Sequence, residues 1–147
     1  MAEEKEYDYS EYNSLCDSRE SLEAQSDAYQ NHINTLTANL EVLTASRDTL
    51  QSVKNNVCEI KNGIYWTPDN TLVGWTGTKF ESVRVRSQET DFITSYQSYI
   101  DRLDETLDSL NNEVTRVQNE IWEQEGFWGD VKSTLNNIYN SIRNFFN

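Results

Sequence analysis

The fold this sequence predicts is all-α: an elongated, coiled-coil-like antiparallel helical hairpin. Three observations carry it: apolar residues recur at helical spacing over most of the chain, turn residues cluster near its middle, and breakers are scarce elsewhere. Five Gly and one Pro occur among 147 residues, of which 36% are hydrophobic. Few breakers mean few turns and long elements, and modest apolar content means narrow seams between helices instead of a thick core. The length suits one domain spanning residues 1–147.

The first helix is expected over about residues 10–62. From Leu15 one heptad position is apolar eight times running, through Leu22, Tyr29, Leu36, Leu43, Leu50, Val57 and Ile64. A second, patchier stripe holds Tyr12, Ile33, Leu40, Val53 and Ile60, with Arg47 and Lys54 interrupting it. Strand-like alternation with period two is absent.

Residues 63–78 read as the turn. Gly63, Pro68-Asp69-Asn70, Gly74 and Gly77 supply turn chemistry. Thr78-Lys79-Phe80-Glu81 has the form of a capping box that opens the second helix, over about 79–122. Its seam runs Ile93, Tyr96, Ile100, Leu103, Leu107, Leu110, Val114, Val117 and Ile121, with steps of three and four throughout.

A C-terminal amphipathic helical segment follows over about 127–146. Gly126 and Gly129 interrupt helix propensity, yet Trp128, Val131, Leu135, Ile138, Ile142 and Phe145 keep the register. Two arrangements are open: the second helix runs on through the glycines, or the segment folds back.

The formal net charge of −13 argues against nucleic acid, which is bound through clustered Lys and Arg. It argues equally against an anionic membrane surface, and no apolar run is long enough for membrane insertion. Residues 1–30 hold nine acids against two bases, and residues 89–125 hold ten against two. Such faces keep a thin helical protein in solution.

Cys16 and Cys58 are the only cysteines. On one helix they stand roughly 60 Å apart, far beyond the reach of a disulfide, so both are expected to be free thiols. The acidic start Met1-Ala2-Glu3-Glu4-Lys5-Glu6 lacks the apolar run of a Sec-type signal peptide. The expected location is the cytoplasm before any export.

Catalytic residues do not assemble in the pattern. His32 is the single histidine and reads as a helix-surface residue, with no second ligand at metal spacing. Gly74 and Gly77 lack the strand and the Lys-Ser/Thr of a phosphate loop. The reading is a non-enzyme without cofactor or metal, whose work is done by its surface. The chain has seventeen aromatic residues. Several stand at the turn (Tyr65, Trp66, Trp75) or late in the chain (Trp122, Phe127, Trp128, Tyr139, Phe145, Phe146), more than two packed stripes use. The candidate partner interface is therefore the Ile93–Ile121 stripe with Trp122, Phe127, Trp128, Phe145 and Phe146.

Trp75-Thr76-Gly77 between two long amphipathic helices resembles the WXG superfamily of helical hairpins handled by type VII secretion systems of Gram-positive bacteria. The order long helix, Trp-x-Gly turn, long helix and amphipathic tail resembles, more narrowly, the YwqH-like proteins encoded beside LXG toxins. In such a turn the Trp75 ring closes the end of the seam while Gly77 lets the chain bend beneath it.

Exported WXG proteins carry Tyr-x-x-x-Asp/Glu after the second helix. Here that spacing occurs only at Tyr7…Glu11 and Tyr65…Asp69, and Tyr139 is followed by Arg143. The resemblance therefore implies an accessory: a chaperone-like helper or targeting factor that binds the helical N-terminal region of an LXG toxin, is a candidate for co-secretion with it, and has a second small WXG-like protein as a further candidate partner. Two other readings stand beside it, a self-associating structural coiled coil and an immunity protein.

Overall fold

The computed structural model describes residues 6–70 and 90–147. Two helices make up this part, α1 over Tyr9–Asn70 and α2 over Thr90–Asn144. They pack against each other as a hairpin, and the described residues contain no strand. Trp75, Gly77 and the Thr78–Glu81 capping box lie outside the described residues.

Asp8 starts α1. Its Oδ1 accepts from the Ser10 N–H at 3.0 Å, and its carbonyl accepts from Glu11 and Tyr12, so two of the donors a helix start leaves open are satisfied. The helix does not stop at residue 62 as expected. It continues through Gly63 as far as Asn70. A single glycine lowers helix stability by only about 1 kcal/mol, too little to end a helix already held along most of its length.

For the C-terminal segment the first of the two open arrangements holds. It is not a separate element: α2 is one helix of 55 residues that passes through Gly126 and Gly129. A Cβ built at either glycine meets nothing within 4 Å. Neither position is occupied by glycine for want of room, and the register kept by Trp128, Val131 and Leu135 is the register of an unbroken helix. Arg143 lies in the last turn, where a cation faces the negative end of the helix dipole.

Both helices are rich in Ser, Thr and Asn, which compete with helical hydrogen bonds. Several hydroxyls are accommodated by bonding back to the carbonyl four residues earlier: Thr35 to Asn31, Thr37 to Ile33, Thr106 to Arg102, Ser109 to Glu105, Thr115 to Asn111 and Thr134 to Asp130. Polar pairs four apart, such as Gln51–Asn55 and Arg116–Glu120, add a few tenths of a kcal/mol each.

Packing divides the chain into two units. One joins Met1–Leu40 with Arg116–Asn147, and the other is Glu41–Thr115. In the first, the buried residues are Ile33 and Leu36 from α1 with Val117, Ile121 and Leu135 from α2. Among the described residues of the second they are Ile100, Leu103 and Leu107, and Leu43, Leu50 and Val57 of α1 are half-buried. Among the described residues no side chain is fully enclosed. That is what two single stripes achieve when no third layer covers them.

The second apolar stripe of α1 divides. Ile33 is buried and Leu40 half-buried, whereas Val53 and Ile60 face outward. Lys54, next to Val53, leaves the stripe to form an ion pair with Asp104 across the seam.

Candidate partner-binding surfaces

Most of the expected interface is spent inside the hairpin. Ile100, Leu103, Leu107, Val117 and Ile121 are buried, and Ile93, Tyr96, Leu110 and Val114 are half-buried. A partner helix would have to displace α1 to reach this stripe. It is the seam of the fold.

The late aromatics divide in the same way. Trp128 is half-buried, and its indole N–H donates to Ser26 Oγ at 2.9 Å while the Lys132 ammonium stands 3.9 Å above its ring. Phe145 stacks 5.3 Å from Tyr12, and Phe146 lies 5.3 Å from Tyr7. The Tyr7 hydroxyl also donates to the Phe146 carbonyl at 3.3 Å. These rings tie the C-terminal end of α2 to the start of α1, although Phe146 keeps an exposed edge. Tyr139 belongs to the same side of the work: its hydroxyl donates to Glu23, and that bond holds its pKa above the usual tyrosine value.

Besides Phe146, two residues of the expected interface are exposed. Trp122 is 62% exposed, and Phe127, with its ring 6.1 Å from Tyr29, is 44% exposed. An indole left this open on a long polar helix exposes apolar area that neither seam uses.

The second unit holds a surface that sequence reasoning missed in part. Val42, Ala45, Ser46, Thr49, Leu50 and Val53 line a shallow, open groove of about 450 Å³ along α1. Val53 and Ile60 stood out in the sequence. Val42, Ala45 and Thr49 did not, because Ala, Ser and Thr dilute the apolar signal at those positions. The signal that finds them is the spacing 42, 45, 49, 53, which keeps one face of a helix.

Metal and redox chemistry find no assembled site in the described part. Among the described residues no group of three or more His, Cys, Asp or Glu could hold a metal ion. His32 is exposed, with Nε2 3.5 Å from Glu120 Oε1. Cys16 and Cys58 are free and half-buried. No described helix is long and apolar enough to cross a membrane.

A family model described as YwqH-like matches residues 17–140. The chain belongs to the YwqH-like family. The match runs from the first turns of α1 to the last turns of α2, so the YwqH-like region takes in both helices and Trp75-Thr76-Gly77 between them. No curated protein and no solved structure matches the chain.

Proposed function

We propose that this YwqH-like protein is a non-catalytic helper that binds the helical N-terminal region of an LXG toxin and assists its export by a type VII secretion system. The observation that carries the reading is Trp122. Two amphipathic helices have closed their seams on each other, yet an indole stays 62% exposed on the outer side of α2. Large aromatics on otherwise polar surfaces are the usual anchors of helix-mediated binding, where a few residues supply most of the affinity. Family membership over residues 17–140 supports the same reading. The acidic faces restrict which helices dock and in which direction.

The test is co-expression of the chain with the N-terminal region of an LXG toxin encoded beside it. Wild type should co-purify, and Trp122→Ser combined with Phe127→Ser should weaken binding by roughly ten-fold or more, as expected for anchor residues. Unchanged helicity by circular dichroism establishes that the variant is folded. Co-purification at wild-type level would remove these two aromatics from the interface, and no co-purification of the wild type would remove the helper role itself.

A further inference from the structure

We infer that the outer face of α1 between Val42 and Ile60 is a second docking surface, and that its occupant is an amphipathic helix of a partner protein whose apolar stripe is flanked by Lys or Arg. The inference extends the helper role to another surface and rests on that reading.

Val42, Ala45, Thr49, Val53 and Ile60 follow one another at steps of three, four, four and seven, which keeps them on one side of α1. Val42 is 66% exposed and Ile60 53% exposed. β-Branched residues at a stripe edge with Ala45 and Ser46 between them form ridges beside a shallow gap, the relief into which the side chains of a crossing helix settle. This stripe is distinct from the one used inside the fold. Leu43, one residue further on than Val42, lies about 100° round the helix and is half-buried, while Leu50, also half-buried, borders the groove on its seam side.

The other flank decides the occupant. Glu41, Asp48 and Glu59 each precede a stripe residue by one position, so all three stand about 100° away on the side opposite to the seam. All three are exposed. Arg47 pairs with Asp48 at 3.0 Å, so Glu41 and Glu59 carry the charge of this border, while Lys54 pairs with Asp104 and Lys61 donates to Gln97 Oε1 at 2.7 Å, both across the seam. The docking face is thus an apolar strip with one acidic border. A second copy of this chain packed antiparallel would set the acidic border against itself, because in antiparallel helix pairs equal flanks face each other. A helix bordered by Lys or Arg gains attraction at the same place.

The experiment uses the full chain and the double variant Val42→Glu, Val53→Glu. Both positions are exposed, so helicity and unfolding midpoint should stay at wild-type values. Binding is measured against the toxin's N-terminal region and against two synthetic heptad peptides with identical Leu/Ile stripes, one bordered by Lys and one by Glu. Expected are capture of the Lys-bordered peptide only, weaker at high salt, and a loss of roughly ten-fold or more in the double variant for both peptide and toxin region.

Toxin binding that survives the double variant overturns the assignment of this surface and leaves the helper role standing. Equal binding of both peptides, or of neither, overturns the basic-bordered occupant. A wild-type homodimer in sedimentation that becomes monomeric in the double variant also overturns it, in favour of a second copy. Failure of the wild type to bind the toxin region overturns the helper role and this extension of it together.

Discussion

Trp128 and Ser26 meet across the seam, 102 residues apart in sequence, with the indole N–H donating to the serine Oγ at 2.9 Å. The pair lies where Gly126 and Gly129 suggest an interruption, and it shows α2 still facing α1 there. A neutral hydrogen bond of this kind contributes about 1 kcal/mol net. Trp128→Phe and Ser26→Ala should each cost about that much in urea unfolding. Their double variant should cost less than the sum, giving a coupling of about 0.5–1 kcal/mol; strict additivity would show that the bond contributes nothing.

The glycines of α2 yield an unusual expectation, that changing them helps. Gly126 and Gly129 are helical, and a Cβ at either site has open space around it. Gly126→Ala and Gly129→Ala should each raise stability by about 0.5–1 kcal/mol, because alanine gives up less backbone freedom in a helix. A hinge needed for packing would give the opposite sign, read directly from the thermal midpoint.

The seam should behave as a core despite its thinness. Leu103 and Leu107 are buried, and Leu107 is 5% exposed. Leu107→Ala should destabilise by about 2–3 kcal/mol, the lower part of the range for leucine truncation because no third layer encloses the site. Tyr99→Ala, on an exposed position of the same helix, should change stability by less than about 0.5 kcal/mol. Leu103→Asp with Leu110→Asp would unpack the hairpin, and loss of partner binding in such a variant would report on folding alone.

The fold was legible because its signal is long. Eight apolar heptad positions from Leu15 and nine seam residues from Ile93 specify two helices and the faces they turn to each other. Gly63 reads as a stop because propensity is a local quantity, whereas a helix held by its neighbours carries one poor residue without ending. The candidate surface was less legible. Periodicity marks a residue such as Leu103 as apolar and in phase but does not say whether it faces the second helix or a partner. Trp122 stands one position out of phase with the seam that ends at Ile121, but how far it is exposed is seen only once α1 is in place. Val42 and Thr49 escaped notice because their stripe is built from small and β-branched residues that score weakly.

Alkaline pH should loosen both units by the same logic. The hydrogen bond from Lys54 to Asp104 raises the lysine pKa above its usual value near 10.4, and that from Tyr139 to Glu23 raises the tyrosine above its usual value near 10. A group with a raised folded-state pKa holds its proton where the unfolded chain has released it. Its stabilising contribution is therefore whole below the unfolded value and is lost as pH climbs through the folded one. The chain should keep its unfolding midpoint from neutral pH to about 9.5 as far as these two groups are concerned, then fall above about 10. Both side chains are solvent-accessible, so the fall should be shallow and smaller in high salt. Tyr139→Phe removes one contributor and Lys54→Met the other. Each should flatten the alkaline limb of the midpoint-versus-pH curve while leaving its neutral part comparatively unchanged, and an unaltered limb in both variants would show that other groups set it.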